Sequence, residues 1–355
     1  MLLIPSSSPA GGGGSFNKRN AGIKVKTRGN KSQLSARKPA RPRQGVASPN
    51  AVRARSASEL VFGAPIRYQN LSIVPVGTTR EGPFQRYTLL EEGLKARTLA
   101  VREMRGNSGD AQVSAVQVRN RGNEPVYLLG GEMILGGKQD RIISQDTVVS
   151  PNRRWTRVAV FCVEQGRWQG QRMAFSSGRA LAHVGLQKAA MSGSQSRVWA
   201  EVARKNLRHG TQSRTSTYKR TIQNARLRAR IAPYRREIKS KLPGNMKLAG
   251  LVFAINGKIR VADLFGNPLL MAKLNDKLLS SYILEALGQK VDRNAPVVSA
   301  GKARYFLNKA RRAPAQPLES YGRSKNYRKK SKGLIGAETV DKATGKKVRE
   351  TYFAE

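Results

Sequence analysis

Acidic side chains are scarce in this 355-residue chain: 22 Asp and Glu stand against 66 Lys and Arg, leaving a formal net charge of +44. Cysteine is nearly absent. A lone Cys162 excludes a disulfide framework and a cysteine-cluster metal site, and two histidines, His183 and His209, leave few zinc ligands. No apolar run approaches the ~18–20 residues that span a bilayer. The opening Met-Leu-Leu-Ile is far shorter than the about 7–15 residues of a signal-peptide core, and a proline follows at once. These absences predict a soluble, cytoplasmic protein with no membrane span, no metal and no cofactor. Hydrophobic residues, at 39%, are few for a globule of this length, so part of the chain is expected never to pack.

The charge is unevenly spread. Residues 1–58 hold 12 basic and no acidic groups, residues 191–250 carry +13 and residues 301–355 carry +10. The segments with the clearest apolar patterning, 59–190 and 251–300, carry only +7 and +2. With its Gly11 to Gly14 run, scattered prolines and lack of acids, 1–58 reads as a disordered basic tail that touches anionic polymers. It also resembles an organelle transit peptide, but it lacks the amphipathic stripe.

From residue 59 the pattern is that of a single α+β domain with a β-rich, sandwich- or barrel-like core. Strands are expected at Leu71 to Val76, Thr98 to Arg102, Val113 to Val118, Val126 to Leu129, Met133 to Leu135, Arg141 to Ser144 and Val158 to Val163. Asn120 to Asn123 reads as the turn joining the third and fourth of these as a hairpin. Thr88, with Glu91 three residues on, reads as the capping box of a short helix. A basic helical segment is expected at about 191–245, its first helix capped by Ser196 and closed by Gly210, its second broken by Pro233. Asn256-Gly257 predicts a type I′ hairpin between Leu248 to Ile255 and Lys258 to Ala262. An amphipathic helix at Leu269 to Leu287 follows, with Asp263 starting a turn or capping it. The chain closes on a hairpin of Leu334 to Val340 with Val348 to Phe353.

The densest polar run is Gly130-Gly-Glu-Met-Ile-Leu-Gly-Gly-Lys-Gln-Asp-Arg141. It is not a phosphate-binding P-loop: the required first glycine is Glu132, and Gln139 replaces the Mg²⁺-binding Ser or Thr. Two readings stand. In one, Glu132 pairs with Arg141 or Lys138 to fix the loop; in the other, Lys138, Gln139, Asp140 and Arg141 bind a ligand. Cys162, flanked by apolar residues, reads as buried and inert. Glu164, Arg167 and Trp168 lie where that strand ends, with Arg167 and Trp168 able to stack a ring or simply to pack an edge. Glu132 and Glu164 are the candidate carboxylates for acid–base work.

The order of several motifs carries a resemblance. Thr88-Leu-Leu-Glu-Glu-Gly-Leu, Gly131-Glu132 through Lys138-Gln-Asp-Arg141, Cys162-Val-Glu-Gln-Gly-Arg-Trp168, Val198-Trp-Ala-Glu-Val-Ala-Arg-Lys205, Asn256-Gly257 with Ala262-Asp-Leu-Phe-Gly266, and Thr339-Val-Asp-Lys-Ala-Thr-Gly345 together resemble the bacterial ARG and rhodanese-phosphatase-superfamily-associated domain family over about residues 60–355. The family usually has Lys-Gln-Asn-Arg where this chain has Lys138-Gln-Asp140-Arg141. Its association with ADP-ribosylglycohydrolase-type and phosphatase-type proteins implies NAD-derived or ADP-ribose chemistry and leaves enzyme activity open.

The first functional expectation is therefore binding or processing of a phosphorylated nucleotide-type ligand, an anionic small molecule of ADP-ribose type. Lys138 and Arg141 would hold the anion, Gln139 and Asp140 would read hydroxyls, and Glu132 or Glu164 would act as base. The alternatives are a noncatalytic protein binding nucleic acid nonspecifically through 1–58 and 191–250, and a structural partner of a hydrolase.

Overall fold

The computed structural model describes residues 60–105, 111–167 and 173–355. The chain divides into Met1–Ala54 and Arg55–Glu355, and everything below concerns the second unit. The expected basic tail and Trp168 lie outside the described residues.

The fold is mixed α+β with a curled antiparallel half-barrel sheet and a C-terminal strand hairpin. Among the described residues its largest sheet has nine strands. Leu60–Phe62, Leu71–Thr78, Leu248–Ile255, Lys258–Phe265, Lys346–Ala354, Leu334–Asp341, Ser324–Ser331 and Ala315–Pro317 follow one another in space, and Ile66–Tyr68 also pairs with Leu71–Thr78. Period-two alternation gives this sheet two apolar faces. Leu71, Ile73, Leu251 and Phe253 pack beneath the helix Pro268–Ala286. Val74, Val76, Val252 and Ala254 point the other way, onto Ala303 and Leu307 of the helix Ala300–Arg312.

A six-stranded antiparallel sheet runs Met173–Leu181, Glu132–Gly137, Arg141–Ile143, Trp155–Cys162, Ala111–Asn120, Leu99–Arg105. One face, with Met133, Leu135 and Ile142, carries the helices Val184–Met191 and Gln195–His209 through Leu186, Val198 and Val202. The other face, with Ile134, Ile143 and Val158, packs on a three-stranded sheet of Thr147–Val149, Val126–Leu128 and Thr88–Leu89.

Several local expectations are met. Asn256 (φ 46°) and Gly257 (φ 73°) make the two left-handed positions of the type I′ turn, and the C-terminal hairpin pairs Leu334–Asp341 with Lys346–Ala354. Others are corrected. Val126–Leu128 does not return along Ala111–Asn120. The buried Asn120 amide donates to the Glu124 and Val149 carbonyls at 2.8 and 3.2 Å, turning the chain into the three-stranded sheet. The short helix Leu90–Lys95 starts one residue later than expected: Glu92 accepts the Leu89 N–H at 2.8 Å, and Glu91 is left to face elsewhere. Ser194, not Ser196, caps Gln195–His209, and the expected apolar face is rotated so that Leu207 is exposed.

The second basic helix is two, Lys219–Gln223 and Ala225–Ser240. Pro233 sits inside the latter without ending it; Ala229 is exposed, so water reaches the carbonyl that a residue-233 N–H would have met. Pro268–Ala286 is buried on most sides rather than along one stripe, because it fills the space between the nine-stranded sheet, Met173–Leu181 and Ala225–Ser240. Asn267 caps it, its Oδ1 accepting the Leu269 N–H at 2.9 Å. Asp263 stays inside its strand. No helix among the described residues is long and apolar enough to cross a membrane.

Candidate functional site

The residues singled out in the sequence fall into three groups. Arg141 is fully buried and grips Glu103 with both terminal nitrogens, at 2.8 and 3.1 Å. The Lys138 backbone N–H donates to the same carboxylate at 2.8 Å. Gly137 (φ 62°) lets the chain pass there, since a Cβ would run into Glu103.

Gln139, Asp140, Glu164 and Arg167 form the second group. The Gln139 amide donates to the Glu164 carbonyl at 2.8 Å and accepts the Cys162 thiol at 2.6 Å. Asp140 accepts the Gly136 N–H at 2.9 Å, the Thr217 hydroxyl at 3.1 Å and Arg167 at 3.3 Å. Glu164 accepts the Asp140 N–H at 3.0 Å and Arg167 at 2.8 Å. Burial raises the Asp140 carboxyl above its usual range. Burial also works to raise Glu164, but the hydrogen bond from Arg167 outweighs it and holds that carboxyl low. Cys162 is buried, and burial pushes its thiol up to about 11. Asp140, Glu164 and Arg167 line a cleft of about 450 Å³ with Thr217, Lys219 and Arg220.

Glu132 stands apart. Its partner is Lys277 of the helix Pro268–Ala286, which also binds Glu91. The expected pairing with Arg141 or Lys138 does not form: Arg141 sits opposite Ile134, two residues, or about 7 Å, further along the strand. Burial pushes the Glu132 carboxyl up to about 7 against the pull of Lys277, with Glu91 adding to the rise. Glu132 and Glu164 thus occupy separate clusters.

Two further features meet at Arg328. A cavity of about 220 Å³ lies between the two large sheets, walled by Ala159 and Phe161 on one side, Ala337, Thr351 and Phe353 on the other, and by Met191. At one end the buried Arg349 ties the sheets together. It binds Asp263 at 2.6 Å and Asp146 at 3.0 Å, while Asp146 also accepts the Gly130 N–H at 2.7 Å. Tyr282 donates to the far oxygen of Asp263 at 2.5 Å.

The second feature is a cleft of about 480 Å³ on the other side of Val184–Met191. Lys188, Arg197, Arg204, Arg328 and Lys330 line it, with Glu201 and Glu355 as its acidic residues. Arg328 lines cavity and cleft alike and donates to the Met191 carbonyl at 3.1 Å. Behind the cleft, His183 is buried between Glu201 (Nε2, 2.6 Å) and the Tyr218 hydroxyl (Nδ1, 2.8 Å). An ionised Glu201 only accepts, so Nε2 carries the proton and Nδ1 accepts the Tyr218 O–H. Burial, and then Lys205, hold His183 below its ordinary value, which keeps it neutral at pH 7. Against the cost of burial, hydrogen bonds from His183 and Arg204 hold Glu201 down to about 2. That fixes Glu201, and Arg204 with it, on the cleft wall.

An α+β domain with two packed antiparallel sheets, an enclosed cavity and a cationic cleft is what the fold and site define. The chain belongs to the family described as the ARG and Rhodanese-Phosphatase-superfamily-associated Protein domain, whose model matches residues 59–353. No curated protein and no solved structure gives a significant match.

Sequence reasoning did not single out Arg328, Lys188, Arg197 or Lys330. They come from a helix–helix pair and a C-terminal strand, and no local motif joins them. Arg349 and Asp263 did leave a signal: each is a charged residue inside an apolar strand, where an unpaired charge would be costly.

Proposed function

We propose that the protein binds a phosphorylated, nucleotide-type small molecule, with an ADP-ribose-like compound as the representative, and that its phosphate lies over the cleft of Lys188, Arg197, Arg204, Arg328 and Lys330. The convergence of these five basic side chains carries the reading. Glu201, one of the two acidic residues there, is already committed to His183 and Arg204, so the cleft retains a surplus of positive charge for an anion. In this reading Arg141 is spent on Glu103, Glu132 and Glu164 are framework groups, and the loop at 138–141 holds strand ends together. The family's association with phosphatase-superfamily proteins supports a phosphate ligand.

Calorimetric titration of the full chain with ADP-ribose tests it. Arg197→Glu with Lys330→Glu is expected to weaken binding at least about tenfold. Lys219→Glu with Arg220→Glu, on the Asp140 cleft, is expected to leave Kd within about twofold. The reverse pattern would place the anion beside Asp140 and overturn the reading.

One observation favours a second, accessory reading. On Ala225–Ser240, Leu227, Tyr234 and Ile238 are buried while Arg226, Arg228, Arg230 and Arg236 face solvent. Such a face suits nonspecific contact with a nucleic-acid backbone. With about four phosphates engaged, affinity for duplex DNA is expected to fall with a log–log salt slope near −4. Reversing these four charges is expected to flatten the slope; an unchanged slope would remove this helix from the interface.

A further inference from the structure

We propose that the enclosed cavity beside Arg328 is the seat of a neutral, planar ring bearing an amide-type edge, such as a nucleobase or an aromatic carboxamide. This rests on the phosphate reading of the adjoining cleft and assigns the other half of the same ligand. The volume fits first. A cavity of about 150 Å³ accepts benzene, so about 220 Å³ accommodates one ring with a carboxamide. The walls fit next: Ala159, Phe161, Met191, Leu318 and Phe353 offer apolar surface to the faces of a ring.

The polar end sets the chemistry. Asn326 and Thr351 are 2% and 4% exposed, and both line the cavity. The Asn326 amide nitrogen donates to the Asp146 carbonyl at 3.0 Å, which fixes the amide so that its oxygen is the group left over. That oxygen and the Thr351 hydroxyl have no hydrogen-bond partner among the described residues. An acceptor beside a hydroxyl matches an edge that carries N–H next to C=O: the ligand N–H donates to Asn326 Oδ1, and the Thr351 O–H donates to the ligand carbonyl. A buried site built to hydrogen-bond such an edge discriminates strongly against rings lacking it.

Charge decides between neutral and anionic rings. Arg349, at the same end, is shared by Asp146 at 3.0 Å and Asp263 at 2.6 Å. Two carboxylates against one guanidinium leave this end with an excess negative charge, so a carboxylate-bearing ring is repelled and a carboxamide is not. At the other end Arg328 marks the step into the cationic cleft, where a phosphate attached to the ring moiety would emerge.

Thermal unfolding of the full chain with benzamide, benzoate and inorganic pyrophosphate, each at about 10 mM, tests the proposal. Benzamide at about ten times its Kd is expected to raise Tm by about 2–3 °C, and benzoate is expected not to. Thr351→Val keeps the shape and removes the hydroxyl; it should abolish the benzamide shift and preserve the pyrophosphate shift. Ala337→Leu fills the cavity and should do the same. If benzoate stabilises as well as benzamide, or benzamide stabilises Thr351→Val as well as the parent, or benzamide has no effect, the cavity assignment is overturned. A pyrophosphate shift lost in the Arg197/Lys330 variant speaks to the cleft alone, so failure of the ring seat and failure of the phosphate reading are told apart.

Discussion

Replacing Arg349 with methionine is expected to destabilise the protein by about 3–5 kcal/mol, read as a lower urea midpoint with an unchanged denaturant slope. The cause is what remains. Arg349 is 2% exposed and holds Asp263 through two nitrogens, at 2.6 and 2.9 Å, and Asp146 through a third at 3.0 Å. Desolvation alone would lower its pKa, but Asp263 and Asp146 together drive it well above the usual guanidinium value, so the charge is permanent. Without the guanidinium, two buried carboxylates lose their counter-charge. A double-mutant cycle isolates the effect: Arg349→Met with Asp263→Asn should be less destabilised than the two single variants summed, by about 1–3 kcal/mol. Strict additivity would mean that the guanidinium acts by packing and not by charge.

Glu132→Gln is expected to make stability less dependent on pH between 5 and 8. Burial raises this carboxyl from 4.5 to about 7, overcoming Lys277 and reinforced by Glu91. A raised carboxyl means that the folded state keeps its proton after the unfolded chain has released it. The stabilisation is therefore complete below about pH 4.5 and is lost as pH rises through 7, by about 3 kcal/mol at most. Glutamine has no proton to release, so the variant should gain on the parent by up to that amount between pH 5 and 8. The check is urea unfolding at both pH values. Parallel curves would show that Glu132 is already ionised at pH 5, held so by Lys277.

Much of the framework was legible because it depends on local chemistry. Asn256-Gly257 supplies the two left-handed positions that a tight hairpin needs, and the flanking alternation of Leu251, Val252, Phe253 and Ala254 divides cleanly between the two faces. Gly210 closes its helix at φ 62° as expected. What local pattern cannot convey is who lies opposite. Glu132 looks equally suited to Arg141 and to Lys277, and a two-residue offset along a strand decides the matter. Gln139, Asp140, Glu164 and Arg167 were read as neighbours, and the structure brings them together. The cationic cleft was illegible for the opposite reason. Lys188, Arg197, Arg328 and Lys330 are ordinary surface residues of their own elements, and only the packing of Ser324–Ser331 near the ends of two helices gathers them.

The arrangement of the largest sheet also bears on how the chain is made. Leu71–Thr78 pairs with Leu248–Ile255, about 170 residues later. At a synthesis rate of about 5–20 residues per second, that strand leaves the ribosome about 10–30 s before its partner exists. The six-stranded sheet and its helices, which arise almost wholly from the chain between these strands, can assemble during that interval. Their early assembly would leave an apolar edge waiting to be matched. The sequence of events during translation, rather than the native contacts alone, then sets how long Ile73, Val74 and Val76 stay exposed to other nascent chains.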